Sequence, residues 1–337
     1  MDPAAFQVEQ ERVFRRFWQY VGRTDEIAEP GSFHTTRAGS VPVLLVRDHD
    51  DVLRAFVNVC RHRGSIVCKG SGRRETLQCP YHAWTYGLDG RLLAAPRAGR
   101  EGGLDDDELG LVQLRLETWG PFVFVNPDLD APPLADFLDE VPELVADAGV
   151  DVDSLRFHAR YELEYEANWK ICAENFLECY HCPVAHPGFS ATMDVSPDSY
   201  LLETSRWRAS QASPLRPEPR GTFVASGEVE RGQFHFVFPN TVLNVMPGRP
   251  NLSIGPIVPL APERTYRFLD YLVAPDASEA WVEELLAFDT QVGAEDRALV
   301  ERVQAGVRSG IIEEGRLLPA SERLVEHFQS LLVEALA

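Results

Sequence analysis

Lysine is almost missing from this chain of 337 residues: Lys69 and Lys170 are the only two, and acidic side chains outnumber basic ones by 52 to 32. The formal net charge of −20 repels phosphate backbones and anionic bilayers, so neither nucleic acid nor a membrane surface is an expected partner. No apolar run approaches the roughly 20 residues of a membrane span. The opening MDPAAFQVEQERVFRRFWQYVG has no basic stretch leading into an apolar one, so no secretory signal is read and a cytoplasmic location is expected. Six cysteines are too few for a disulfide scaffold and read better as thiols or metal ligands. A G-x-G-x-x-G fingerprint is also lacking, which argues against a built-in flavin or nicotinamide site.

What is present is the composition of a globular protein, 45% hydrophobic and 25% charged, long enough for one large domain or two ordinary ones. Phe6, Val13, Phe14, Phe17, Trp18 and Val21 recur at helical intervals and predict a helix within the first thirty residues. From Gly31 to Pro127 the texture changes to short β-type runs, such as VPVLLVRD and PFVFVNP, with turns at DHDD and GLDG. The Pro- and Asp-rich stretch 127–142 reads as a boundary. Beyond it RFHARYELEYEAN alternates, with Phe157, Ala159, Tyr161, Leu163 and Tyr165 on one face of a strand expected to be buried. Asn168 to His181 reads as a helix, further strands follow, and the chain from about Ser278 reads as helical.

Two constellations carry chemistry. The first is Cys60-x-His62 and Cys79-Pro80-Tyr81-His82, two short loops sixteen residues apart. Zinc accepts such a donor set, but zinc fingers pair Cys with Cys and His with His. Mixed Cys–His pairs suit a 2Fe–2S cluster with thiolates on one iron and imidazoles on the other. The wording CRHRG…CPYHAWTY closely resembles the Rieske signature in its oxygenase form, with Ala83 where glycine often stands. Cys68 has no counterpart near Cys79 to form the disulfide usual in respiratory Rieske proteins. Arg61, Arg63, Arg73 and Arg74 gather around these loops, either as a solvated surface or as a docking face for an acidic electron donor.

The second constellation lies in NWKICAENFLECYHCPVAHP, residues 168–187. His181 and His186 would point about 140° apart on one continuous helix, but Pro183 forces a bend that lets them converge. Two imidazoles and a carboxylate make the facial triad of non-haem Fe(II) oxygenases. Asp296 lies on the apolar stripe of Val292, Leu299, Val300, Val303 and Val307, where a lone carboxylate needs a partner charge; Glu295 and Glu301 fall off that stripe. Asp289, one heptad earlier, is the alternative. Cys172, Cys179 and Cys182 are expected as buried free thiols.

Taken together, NWK…EN…E-x-x-H-x-x-x-x-H, with a late ED…E-x-V-Q, resembles the α subunits of Rieske non-haem iron oxygenases over nearly the whole chain. The resemblance implies an α+β protein: an all-β Rieske domain at 31–130 and a helix-grip catalytic domain at 131–337, a curved antiparallel sheet with helices, on which residues 1–30 pack. It implies cluster ligands Cys60, His62, Cys79 and His82, iron ligands His181, His186 and Asp296, and a homotrimer. In that assembly Glu178 links His181 to a cluster histidine of the neighbouring subunit. A glutamate at that position is nearer to the carnitine and glycine-betaine oxygenases than to the naphthalene type.

The implied activity is that of a terminal oxygenase fed by a separate reductase or ferredoxin. It hydroxylates or oxidatively demethylates a small molecule with O2. An N-methyl or quaternary ammonium substrate is favoured by Glu178 and by Trp207, Phe234, Phe236, Phe238, Tyr266 and Tyr271, which offer a cation–π cage if they face one pocket. The alternatives are an aromatic-ring oxygenase or O-demethylase, with Arg206, Arg208 or Arg249 for a substrate carboxylate, and a non-catalytic electron-transfer protein.

Overall fold

The computed structural model of the protein describes residues 2–97, 108–218, 220, 223, 225, 227–312 and 314–337. They form two compact units: Phe14–Leu134, and the residues up to Val13 together with Ala135–Ala337. Among the described residues no helix is long and apolar enough to cross a membrane.

The first unit is built of antiparallel strands. One sheet has the order Gln19–Arg23, Phe122–Asn126, Gln113–Trp119, Leu53–Val57, Val41–Arg47, Ser32–Ala38, Ser71–Arg73; a smaller one joins Leu77–Gln78, Thr85–Tyr86 and Leu92–Ala94. The unbroken apolar run in VPVLLVR follows from burial on both faces. Leu44 and Val46 enter a core with Phe56, Cys60, Cys79 and Tyr86, whereas Val43 and Leu45 enter another with Val21, Ala55 and Val123. The DHDD turn is held by Asp48, whose Oδ1 accepts the N–H groups of Asp50 and Val52 at 2.9 Å while Oδ2 takes the Arg54 guanidinium at 2.6 Å.

The N-terminal helix is shorter than its periodicity suggests. It runs over Pro3–Glu9 with a wider turn to Phe14, and Gln19–Arg23 is a strand paired with Phe122–Asn126. Strand pairing satisfies that backbone while burying Tyr20 and Val21, which local helical spacing could not foresee. Glu9 fastens the helix within the second unit by accepting from Trp169 Nε1 at 2.8 Å and pairing with Lys170.

The second unit has a seven-stranded antiparallel sheet in the order Arg156–Tyr165, Arg264–Val273, Asn251–Ala261, Thr241–Val245, Arg231–Val237, Arg208–Pro214, Leu201–Thr204. The helix Glu279–Val307, capped by Ser278, packs Trp281, Val282, Leu285 and Leu286 against Met246, Tyr271 and Val273. This is the expected α+β arrangement of a curved sheet with helices. Arg156–Tyr165 is an edge strand, so its apolar face is only partly covered and Tyr161 is 42% exposed. A fork of Arg160 on Asp270, at 2.6 and 2.7 Å, ties it to Arg264–Val273.

Two local expectations change. The helix after Asn168 ends at Phe176, so the bend precedes Pro183, which lies in the first turn of the next helix, Cys182–Ala185. On the long helix Val303 and Val307 are exposed, because Gln304 turns inward and its Oε1 accepts the Asn168 N–H at 2.9 Å.

Candidate metal centres

The two cluster loops share one backbone design. Cys60 N–H donates to Ser65 O at 2.8 Å and Cys79 N–H to Trp84 O at 2.8 Å; Gly64 N–H and Ala83 N–H return to the carbonyls of Cys60 and Cys79. Gly64 and Ala83 occupy the same place in the two loops, both left-handed, at φ 73° and 56°. Cys60 and Cys79 are buried and outside any disulfide, whereas His62 and His82 are exposed, their ring centroids 4.6 Å apart. Trp84 stacks on His62 at 4.9 Å, and the Tyr86 hydroxyl lies 3.2 Å from Cys60 Sγ. Burial opposes the Cys79 thiolate, but N–H groups of Tyr81 and His82 help hold its pKa below the usual thiol range.

These donors fit a cluster better than one ion. Among the described residues only His181, His186 and Asp296 bring three such donor atoms within 4.8 Å of one another. Two thiols inside and two imidazoles outside match a group with a thiolate iron and an imidazole iron. Arg61 and Arg63 are exposed beside the loops. Arg73 is paired with Glu29, and Arg74 lies over Phe33.

In the second unit His186 Nε2 lies 3.0 Å from both His181 Nε2 and Asp296 Oδ1, and His181 Nε2 lies 3.5 Å from that oxygen. The opposite ring nitrogens are each held by a glutamate: His181 Nδ1 by Glu178, and His186 Nδ1 by Glu295 at 2.8 Å. Each Nδ1–H donates to its carboxylate, which leaves the Nε2 lone pair for a metal. Asn175 Nδ2 donates to Asp296 Oδ1 at 2.7 Å. Glu178 Oε2 also accepts the N–H groups of Tyr180 and His181, folding the chain back beside the imidazole.

Electrostatics separate the two candidate carboxylates. Both are half-buried in the cavity wall, where loss of water disfavours charge; hydrogen bonds from His181 and His186 nevertheless hold Asp296 well below the carboxylate range. Asp289 accepts from Tyr271, and there burial wins and raises its pKa. Burial likewise opposes the His181 cation, but hydrogen bonds to Asp296 and Glu178 push its pKa up to about 9. The donor set therefore suits a divalent cation, whose binding displaces the imidazole protons.

Spacing alone missed Glu295, because His186 presents its nitrogens on opposite sides and so reaches two adjacent positions of one helix. Cys179 and Cys182, expected as free thiols, are joined by a disulfide across the turn at Glu178–His181. Cys172 is free and buried.

A cavity of about 280 Å³ opens at the triad. Of the six aromatics expected in a cage, Phe234 and Tyr271 line it. Trp207 instead stacks on Phe137, Phe236 packs on Phe328, Phe238 on Trp207 and Phe328, and Tyr266 near Phe268. Tyr161, Tyr165, Phe176, Phe189, Tyr200 and Phe288 line it as well. Arg206, Arg208 and Arg249 do not line this cavity; the arginines that do are Arg267 and Arg297.

The sequence matches two family models: a Rieske [2Fe-2S] domain over residues 17–117 and the catalytic domain of the ring hydroxylating alpha subunit over 152–337. It is 33% identical to the carnitine monooxygenase oxygenase subunit of Acinetobacter pittii (strain PHEA-2), covering 98% of this chain and 91% of that one. It is equally 33% identical to the chloroplastic choline monooxygenase of Spinacia oleracea, over 99% of this chain and 76% of that protein. A solved quaternary ammonium Rieske monooxygenase, described in terms of carnitine oxidation and inter-subunit electron transfer, superposes with a TM-score of 0.87 at 31% identity, over 100% of this chain and 93% of that one.

This chain belongs to the ring-hydroxylating α subunits of the Rieske oxygenases. It is accordingly an oxidoreductase that uses O2 and electrons from a partner protein, with a Rieske 2Fe–2S cluster and a mononuclear iron as cofactors.

Proposed function

We propose that this chain is a terminal oxygenase acting on the N-methyl group of a quaternary ammonium compound, by hydroxylation or by oxidative demethylation. The observation that carries this reading is the cavity wall beside the triad. A quaternary ammonium group has no N–H to donate, so it is recognised by π faces and carboxylates. Tyr161, Phe189, Phe234, Tyr271 and Phe288 supply the rings. Tyr161 and Tyr271 meet edge to face at 5.6 Å, and Phe189 links Phe234 at 5.8 Å to Phe288 at 6.2 Å, so the wall carries two groups of packed rings. Relatives that act on carnitine and on choline support the same class.

In this reading Cys60, His62, Cys79 and His82 hold the cluster, and His181, His186 and Asp296 hold the iron. When bound, the cluster supplies single electrons and the iron the site of O2 activation. The protein's own part is geometry. Glu178 and Glu295 fix the imidazole tautomers, Asn175 orients Asp296, and the rings keep water from the methyl group while turning it towards the triad.

Glu178 has a second role in the proposal. The family resemblance favours a homotrimer closed head to tail, in which its carboxylate also accepts from His82 of the partner subunit. The relative described in terms of inter-subunit electron transfer supports that route. Exposed Arg61 and Arg63 beside the cluster histidines supply the charge for an acidic electron donor.

The test is O2 uptake by the reduced holoprotein with carnitine, glycine betaine, choline, methoxyaromatics and simple arenes. Uptake coupled to a quaternary ammonium compound, with formaldehyde if demethylation follows, is the expected result. A cis-diol from an arene, without ammonium-dependent uptake, overturns the proposal.

A further inference from the structure

We infer that the substrate carries a carboxylate in addition to its quaternary ammonium group, and that Arg267 anchors that carboxylate; this rests on the quaternary ammonium reading above. Arg267 pairs with Leu163 on one neighbouring strand and with Ile257 on the other. Strand alternation puts Arg267, Leu269 and Tyr271 on one face, and all three line the cavity. Asp270 points the other way, where Arg160 takes it.

The neighbours of the Arg267 guanidinium do not balance its charge. It lies near the Tyr165 hydroxyl and 5.9 Å over the Phe176 ring, while its Nε–H is buried with no acceptor. Among the described residues it makes no ion pair with a carboxylate. Other arginines of this unit do: Arg160 with Asp270, Arg208 with Glu140, Arg249 with Glu228 and Asp276. The acids that act on Arg267 through space are already engaged, Asp289 by Tyr271 and Asp296 by the two histidines.

A guanidinium enclosed in a cavity without a contacting anion is costly unless a ligand supplies one. A carboxylate on the substrate meets that need with charge-assisted bonds, while the ammonium end rests on the rings. A cationic alcohol fills the ring wall but leaves Arg267 unpaired, and sites built around a polar partner discriminate strongly against ligands that lack it.

The holoenzyme is compared with γ-butyrobetaine, its methyl ester and choline, by calorimetric binding and by substrate-dependent O2 uptake. The free acid is expected to exceed the ester in kcat/KM by roughly thirtyfold or more, chiefly through KM, with binding following the same order. In Arg267→Gln the acid-to-ester ratio should fall towards one, and Arg267→Lys should recover part of it. Should the variants fail to fold, the acid-to-ester comparison in the unmodified protein decides. Equal use of acid, ester and choline overturns the role of Arg267 and leaves the quaternary ammonium reading standing. Failure to bind or oxidise any quaternary ammonium compound overturns that reading, and this inference with it.

Discussion

His186 Nε2 and Asp296 Oδ1 lie 3.0 Å apart although 110 positions separate the two residues. The contact joins the short helical stretch after Phe176 to the middle of the long helix, so the metal site exists only once both have packed. Asp296→Ala should therefore abolish the mononuclear iron and turnover while keeping the cluster spectrum, read by iron analysis and visible absorbance. Asp289→Ala should retain that iron, since Asp289 is bonded to Tyr271 and lies outside the triad. The opposite pattern would assign the metal to the wrong carboxylate.

Glu295 contacts His186 Nδ1, on the side of the ring away from the triad, so in the proposed site it would act on the metal through that imidazole. Glu295→Gln should weaken iron affinity by about 10- to 100-fold, the usual cost of losing the carboxylate behind a ligating imidazole. Titration of the iron-free protein with Fe(II) under anaerobic conditions checks this. Unchanged affinity would reduce the 2.8 Å contact to packing.

Glu178→Ala should keep the cluster, weaken iron affinity as Glu295→Gln does, and with iron at saturation slow electron delivery between the two centres. Rapid mixing of the reduced variant with O2 and substrate follows cluster reoxidation directly. Because Glu178 also orders the Tyr180 and His181 backbone, Glu178→Gln is the companion variant. Reoxidation at the unmodified rate in both removes Glu178 from the electron path.

Ala83 sits at φ 56°, where its loop partner is Gly64. A left-handed residue with a Cβ costs about 1–2 kcal/mol, partly offset by the greater unfolded-state freedom of glycine. Ala83→Gly should stabilise the cluster loop by roughly 0.5–1 kcal/mol. Loss of visible absorbance in denaturant reads it; an earlier loss in the variant contradicts the argument.

His235 gives a pH dependence of defined sign. It is buried between Ser210 and Gln233, and that burial, reinforced by the Arg208 charge, pulls its pKa down to about 3. The unfolded state binds the proton more readily, so the contribution of this group is full above about pH 6.5 and is lost as pH falls towards 3. His235→Gln should flatten that part of a denaturation-midpoint profile. A variant as acid-sensitive as the original protein would place the effect elsewhere.

How much of this was legible depended on distance along the chain. The proposed cluster ligands Cys60, His62, Cys79 and His82 sit in two short loops whose wording carries its own turns, so that pattern could be read without tertiary information. His181 and His186 were nearly as local, although the chain leaves the first helix at Phe176, ahead of His181, and not at Pro183. Asp296 showed only as a carboxylate on an apolar helical stripe. Glu295 left no mark, because its position off that stripe has meaning only once His186 arrives beside it.

The cage showed the limit of composition. Six aromatics in the catalytic half were plausible from sequence; four of them pack elsewhere, and Tyr161 from an edge strand with Phe189 and Phe288 from two helices line the cavity instead. Arg267 was unremarkable in RTYRFLDYLV, since nothing in one strand says which neighbours leave its charge without an anion.

The sequence by itself determined the family, because local motifs carry the wording of the Rieske domain and of the catalytic domain. Only the tertiary structure decided which carboxylate joins the triad, which rings face the substrate and which arginine stands among them. A metal loop is written in contiguous residues with fixed turn geometry, whereas a cavity is assembled from strand registers and one helix rotation, each set by pairings across the whole domain.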